Sequence, residues 1–188
     1  MIEYYTLMHK GDAEEYTDNI FMNFGSTVTV LIIYSSKEGA PEFKYDDKAK
    51  ISSMITGCRG VPFDTISKIL ERDIAEGIDY MLIHINDSMI NIERHGSIIA
   101  GIVKNGELKR LPNGPFSIED EDRVVCGTAE FFKYLSPPAI LSDALTADSS
   151  EEWMDNMVCR ISEQNMLAEG NLTAVTLIVR KDDVKVQN

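Results

Sequence analysis

The hydrophobic pattern of the N-terminal part of this chain predicts three strands. MIEYYTLM and DNIFMNF have strand character and are separated by the acidic turn GDAEEYT. TVTVLIIY, residues 27–34, is rich in β-branched residues, which is typical of a central strand buried on both faces. SSKEGAPE follows it and interrupts the apolar pattern with polar residues, a glycine and a proline.

The remaining pattern alternates between helical and strand character. Helices are predicted at 48–55 and 63–75, where Ile66, Ile69 and Leu70 recur at helical spacing. GIDYMLIHIND, MINIERHG, SIIAGIVKNG and ELKRLP then predict a β-meander, and EDRVVCG predicts one more strand. Further helices are predicted at 129–134, 138–145 and 150–167, and NLTAVTLIVR predicts the last strand.

The order of these elements predicts the fold class. Strands, a helix pair, a meander, helices and a final strand do not alternate as βαβα units, so the pattern indicates an α+β protein. Two packed antiparallel sheets flanked by helices on both faces would use every element. No Pro/Ser-rich linker divides the sequence, so residues 1–188 are predicted to form one domain.

Charge and cysteine content restrict the partners and the compartment. The formal net charge is -13 and the pI is about 4.6, so nucleic acid and anionic membrane surfaces are disfavoured as partners, and a protein partner is expected. The first residues lack the pattern of a secretory signal, and the longest apolar runs are too short to span a bilayer. Three widely spaced cysteines argue against a disulfide framework and a zinc site. A reduced, cytoplasmic protein is expected.

Five motifs, in this order, resemble those of the metal-dependent type 2C (PPM) protein phosphatases, especially the short branch represented by stage II sporulation protein E. EEYTDNIF is similar to the first acidic motif, and VTVLIIYSSKEG to the strand that enters the Asp-Gly loop. YMLIHINDSMINIERHGSIIAGIVKNGELKRL is similar to the central strands, with HGS at the Gly-Asp-Ser motif. DEDRVVCGTAEFF and EGNLTAVTLIV are similar to the strands carrying Ser-Asp-Gly and Asp-Asn-x-Thr. The resemblance covers nearly the whole chain.

The resemblance implies two Mg²⁺ or Mn²⁺ ions, held by aspartates, that bind phosphate and activate a water. In this chain Asp18 is the only family ligand position that keeps its carboxylate, and the phosphate-binding arginine falls near Ala13. The other metal-binding aspartates of the family fall on Ser35, Gly96, Cys126 and Gly170. If the loop shifts by one residue, the first of them falls on Tyr34 instead of Ser35. Gly127, after Cys126, and Asn171 and Thr173, after Gly170, are retained. One carboxylate cannot hold two Mg²⁺ ions against their hydration, so no resident metal and no catalytic residue is predicted.

Several single residues have two interpretations. Cys126 is either a reactive thiol, which would need a cationic neighbour or a helix N-terminus, or a small buried residue; the absence of an arginine in CGTAEFF favours the second. His84 is expected to be an ordinary sheet residue, and His95 to hydrogen-bond its turn. Trp153 either fastens its helix to the sheet, which we favour, or contacts a partner.

Three hypotheses about function follow. The first is a non-catalytic PPM-like domain in the cytoplasm, a regulatory or protein-binding module that is also compatible with a homo-oligomer. The second is an active metal-dependent phosphoserine/phosphothreonine phosphatase that binds Mg²⁺ or Mn²⁺ through displaced acids, drawn from Asp12, Glu15, Asp18, Glu38 and Asp87. The third, an N-terminal-nucleophile hydrolase, needs a processed N-terminal Thr, Ser or Cys, whereas Thr6 is the first hydroxyl residue here.

Overall fold

The computed structural model describes residues 1–14, 16–24, 27–35, 45–57, 66, 68, 70, 78–86, 88–164 and 170–180. These residues contain ten strands and four helices; Ile66, Lys68 and Leu70 are helical as well. In chain order the elements are β1 Ile2–His9, β2 Asn19–Phe24, β3 Val28–Ser35, α1 Tyr45–Gly57, β4 Ile78–Ile85, β5 Met89–His95, β6 Ile99–Lys104, β7 Glu107–Arg110, β8 Gly114–Ser117, β9 Arg123–Gly127, α2 Ala129–Phe132, α3 Pro137–Thr146, α4 Ser150–Glu163 and β10 Leu172–Val179.

The strands form two antiparallel five-stranded sheets. The first sheet has the order β1-β10-β9-β6-β7 and the second has the order β2-β3-β4-β5-β8. The predicted α+β architecture is therefore confirmed. Among the described residues, no helix is long and apolar enough to cross a membrane.

Apolar side chains fill three layers, because residues along each strand alternate between its two faces. Val30 and Ile32 of β3 belong to the core between the sheets, whereas Leu31 and Ile33 pack outward with Ile51 of α1. The helices α2, α3 and α4 cover the outer face of the first sheet, where Trp153 is completely buried. Its indole Nε1 donates to the carbonyl of Ile140 at 3.3 Å, so Trp153 fastens α4 within this outer core, as predicted.

The structure differs from the predicted meander in one respect. β4 and β5 belong to the second sheet, but β6 and β7 belong to the first, so the chain changes sheets at the turn that contains Gly96 and Ser97. Gly96 has φ +83°, a left-handed conformation that glycine adopts without strain. Asp79 stabilises the turn: its Oδ2 accepts hydrogen bonds from Ser97 N at 2.8 Å and Ser97 Oγ at 2.7 Å.

Two further differences concern an additional strand and the end of a helix. β8, Gly114–Ser117, was not predicted, and it pairs with β5 at the edge of the second sheet. The predicted helix at 150–167 ends at Glu163, and residues 165–169 lie outside the described residues. Most of the helix predicted at 63–75 also lies outside them.

Candidate functional site

The positions predicted from the sequence gather at one end of the sandwich, which we call the Asp18 end. Strand register places them there: β2 begins one residue after Asp18, opposite the end of β3, and Ser35 of β3 pairs with Ile78. In the first sheet, Gly127 pairs with both Ile99 and Ala174. The residues at this end are Tyr16, Thr17, Asp18, Ser35, Asp79, Gly96, Ser97, Gly127, Thr128, Glu130, Gly170, Asn171 and Thr173.

Asp18 is the centre of a buried chain of hydrogen bonds. Its side chain is 3% exposed, and its Oδ2 accepts a hydrogen bond from Thr173 Oγ1. Tyr16 Oη lies 2.6 Å from the same Thr173 oxygen. Because a hydroxyl has one proton to donate, Thr173 must accept from Tyr16 while it donates to Asp18. The tyrosine, threonine and aspartate therefore form a relay that links the two sheets.

The second oxygen of Asp18 has a different environment. Oδ1 is buried and accepts no hydrogen bond from the described residues. Burial raises the pKa of Asp18 to about 6, the hydrogen bond from Thr173 opposes this rise, the negative charge of Glu130 adds to it, and the nearby amide of Asn171 opposes it. Burial also raises the pKa of Tyr16 well above its usual value, which keeps its hydroxyl protonated as a donor. Asp18 is thus a carboxyl group that changes its charge near neutral pH.

Glu130 is the functional candidate that the sequence analysis missed. It lies in the first turn of α2, three residues after Gly127, and its charge acts on Asp18. The resemblance directs attention to Cys126 and Gly127 and gives no reason to include the next acid. A signal was nevertheless present, since a carboxylate in the first turn of the helix that follows β9 can face the same end of the sandwich.

Gly127 is required by packing. A Cβ atom at this position would lie 2.5 Å from the carbonyl oxygen of Thr173, which is too close for any side chain. The two strands stay close through Thr128, whose backbone N donates to Thr173 O at 2.9 Å. The retained glycine therefore has a structural explanation that involves no catalysis.

Gly170 and Asn171 shape the turn before β10. Gly170 has φ +79°, where a side chain would be strained, and no atom lies within 4 Å of a Cβ built there. In the amide orientation that satisfies both of its ends, Asn171 donates to the carbonyl of Lys10 at 3.2 Å and accepts from Thr17 N at 3.1 Å. Asn171 therefore holds the chain segment that leads into Asp18.

Cys126 lies in the interior of the sandwich. Its side chain is completely buried in the core between the two sheets. Burial raises the pKa of the Cys126 thiol to about 12, so the reactive thiolate is disfavoured at neutral pH. This environment agrees with the interpretation of Cys126 as a small buried residue.

Asp79 occupies the space beside Gly96. A Cβ atom at Gly96 would lie 2.0 Å from Asp79 Cγ, so the carboxyl of Asp79 stands where the side chain at Gly96 would begin. His95 stacks on Tyr80, with 6.4 Å between ring centroids. His84 Nδ1 lies 3.1 Å from Thr29 Oγ1 within the second sheet, as expected for a sheet residue, and burial lowers its pKa.

The acids proposed for a rebuilt metal site are only partly described. Asp12 is exposed on its turn, and Glu15, Glu38 and Asp87 lie outside the described residues. For Ser35 the structure gives the backbone pairing alone. In the part of the chain that the structure describes, no group of three or more His, Cys, Asp or Glu residues could hold a metal ion.

Comparison with known proteins identifies the fold. No protein-family model matches the sequence, and no curated protein matches it. The phosphatase domain of SpoIIE from Bacillus subtilis superposes on 100% of this chain and 96% of its own, with a TM-score of 0.68 and 14% identity. The Mycobacterium tuberculosis serine/threonine phosphatase PstP matches 96% of this chain and 99% of its own, with a TM-score of 0.70 and 10% identity.

A second PstP structure, its catalytic domain in complex with two manganese ions, gives the same coverage and TM-score at 12% identity. These likenesses span nearly the whole chain, and at such low identity they establish the fold alone. The fold predicted from the motif order is therefore confirmed.

Proposed function

We propose that this chain, which has the fold of the PPM-type serine/threonine phosphatases, is a non-catalytic protein-binding module of that family. The environment of Cys126 carries the proposal. At the position where the resemblance expects a metal-binding aspartate, this chain has a neutral thiol that is completely buried in the core. A neutral thiol in that position supplies no anionic oxygen to Mg²⁺ or Mn²⁺.

The other ligand positions support the same conclusion. The fold implies Mg²⁺ or Mn²⁺, and both ions require anionic oxygen ligands. Gly96 and Gly170 offer no side chain, and the space beside Gly96 is filled by Asp79. Asp18 is the one of these described ligand positions with a carboxylate, and its Oδ1 is buried and accepts no hydrogen bond from the described residues. We infer that this donor set does not fit a pair of dications, and no hydrolytic step is derived from it.

Metal titration tests the non-catalytic part of the proposal. We expect millimolar MnCl₂ or MgCl₂ to leave the melting temperature unchanged, and we expect no hydrolysis of p-nitrophenyl phosphate or a phosphoserine peptide. A metal present at 100 times its Kd would stabilise the fold by about 2.7 kcal/mol, which a thermal melt detects easily. A saturable rise that Asp18→Asn abolishes and Asp155→Asn preserves would overturn the proposal, since Asp155 is an exposed acid of α4 that belongs to no candidate metal site.

The protein-binding part is supported by an apolar seam between the two edge strands β1 and β2. Tyr4 is 45% exposed and Met8 54% exposed on β1, and the Tyr4 ring stacks on Phe24 of β2 with 3.7 Å between centroids. Edge strands expose unpaired backbone groups, and aromatic residues and methionine are enriched in interfaces. On a protein with a net charge of -13, such a seam suits the apolar part of a partner protein.

A pair of matched variants tests the seam. A partner protein is first recovered with the wild-type protein and then purified. We expect it to bind the Met8→Ser variant with an affinity at least tenfold lower than its affinity for the wild type. Leu145→Ser is the control, because Leu145 is 58% exposed and lies on α3, away from the seam. Equal loss, or no loss, with the two variants would exclude the seam as the binding surface.

The alternative function is an active metal-dependent phosphatase that uses displaced acids. Two observations favour it: the charges of Asp18 and Glu130 interact, and Asp18 Oδ1 is buried without a hydrogen bond from the described residues. Under this alternative, Mn²⁺ would bind between these two carboxylates, so both Glu130→Gln and Asp18→Asn would abolish a metal-dependent rise in melting temperature. Under the proposed function the wild-type protein shows no such rise.

A further inference from the structure

A cleft of about 380 Å³ lies on the outer face of the first sheet, between β6, β7 and the helices α2 and α3. Its wall is mainly apolar and includes Ile99, Leu108, Val125, Phe132 and Ile140. An apolar cavity of about 150 Å³ holds one benzene ring, so this cleft has room for roughly two rings or an alkyl chain of similar size. Its volume is in the range of small-molecule sites.

The floor of the cleft contains a glycine of β6, Gly101, against which the side chain of Leu108 packs. Ile99, Gly101 and Val103 follow one another at a spacing of two residues and share the outer face of the sheet. A Cβ atom at Gly101 would lie 3.1 Å from Leu108 Cδ1, at the base of the cleft. A glycine inside a strand often marks the point where a ligand approaches the backbone closely.

A cationic group lies beside Gly101 at the cleft. Arg110 of β7 pairs directly with Gly101, so its side chain is on the same face of the sheet. Arg110 is exposed, and no described carboxylate forms a salt bridge with it. Lys109 also lines the cleft, but its Nζ is already paired with Glu107 at 2.9 Å.

A planar anion suits the cation of Arg110, because guanidinium groups bind carboxylates through two parallel hydrogen bonds. Arg110 therefore offers a carboxylate site at the mouth of an apolar cleft.

We propose that this cleft binds an amphipathic carboxylate, with an apolar body of roughly ten carbons against Gly101 and Leu108 and with its carboxylate on the Arg110 guanidinium. The ligand class combines the two features of the cleft, an apolar floor and a cation at its mouth. The site is on the outer face of the first sheet and does not depend on whether the Asp18 end binds metal.

The single tryptophan provides the assay. Trp153 Nε1 donates to the carbonyl of Ile140, which lines the cleft, so a bound ligand should change the fluorescence of Trp153. The wild-type protein is titrated with decanoate below its micelle concentration and with decanol as the uncharged probe of equal length. We expect a saturable change with decanoate and at least tenfold weaker binding of decanol, since a charge-assisted hydrogen bond is lost.

Two variants and a control locate the site. Arg110→Gln should weaken decanoate binding about tenfold or more and leave decanol binding unchanged. Gly101→Leu should abolish binding of both probes, because the new side chain fills the cleft. Lys68→Gln, which removes an exposed cation from the opposite side of the sandwich, should change neither.

The proposal is overturned if decanoate binds Arg110→Gln as tightly as wild type, if the two probes bind the wild type equally, or if the fluorescence change does not saturate. If circular dichroism shows that Gly101→Leu does not fold, the Arg110→Gln titration decides the question alone.

Discussion

Replacing Asp18 by asparagine should stabilise this protein at alkaline pH. The folded state disfavours the charged form of Asp18, because burial raises its pKa from 3.8 to about 6. The folded protein therefore keeps a proton on Asp18 up to about pH 6, whereas the unfolded chain releases it near pH 3.8. Wild-type stability consequently falls as pH rises through this window, and the loss is complete above about pH 6.

The size of the effect follows from the same pKa values. The raised pKa of Asp18 lowers the free energy of unfolding by about 3 kcal/mol at pH 8 and by about 1.6 kcal/mol at pH 5, relative to a group whose pKa is the same in both states. Asparagine removes this cost because it carries no charge. Its amide group, however, lies where Oδ1 of Asp18 has no hydrogen-bond partner, and a buried amide without a partner costs about 1–3 kcal/mol at any pH. The advantage of Asp18→Asn over wild type should therefore be about 1.4 kcal/mol larger at pH 8 than at pH 5.

Urea unfolding followed by the fluorescence of Trp153 measures this difference at both pH values. Asp12→Asn removes an exposed carboxylate from the same segment and should show no comparable change with pH. If Asp18→Asn loses its advantage at pH 8, or destabilises the protein equally at both pH values, then Asp18 is stabilised as an anion in the fold and our account of its environment is wrong.

Two further predictions test the packing at the Asp18 end. In a Cys58→Ser background, a thiol reagent should modify the exposed Cys159 in the native protein and Cys126 only after unfolding in urea, and native modification of Cys126 would contradict its burial. Gly127→Ala should lower the free energy of unfolding by about 2 kcal/mol, because the new methyl group meets a carbonyl oxygen of β10 at 2.5 Å. Gly101→Ala, whose Cβ has its closest contact with the flexible tip of Leu108 at 3.1 Å and meets a backbone oxygen only at 3.5 Å, should cost less than half as much in the same urea titration.

Long apolar strands were predictable because burial on both faces leaves a continuous pattern. This holds for β3 and for β10, whose eight residues are all buried. β8 was missed because its sequence, GPFS, has the composition of a turn. It becomes a strand only by pairing with β5, and Pro115 is tolerated because β8 lies at a sheet edge.

Other features depend on contacts that a local pattern cannot encode. Strands of the first and second sheets have the same alternation, so the sequence does not indicate that the meander changes sheets after β5. Asp18 was identified through the family resemblance, but its hydrogen bond joins it to a residue 155 positions away in the chain. The effect of Glu130 on Asp18 likewise arises only when β9 and β2 come to the same end of the sandwich.

The contact between Asp79 and the turn at Gly96 restricts how this sequence can change. An aspartate introduced at Gly96 would strike the carboxyl of Asp79, with 2.0 Å between the new Cβ and Asp79 Cγ, and would adopt a left-handed backbone. Removal of Asp79 alone would take two hydrogen bonds from Ser97. Each single substitution is therefore expected to destabilise the turn, and an aspartate at position 96 has room only when Asp79 is replaced by a smaller residue.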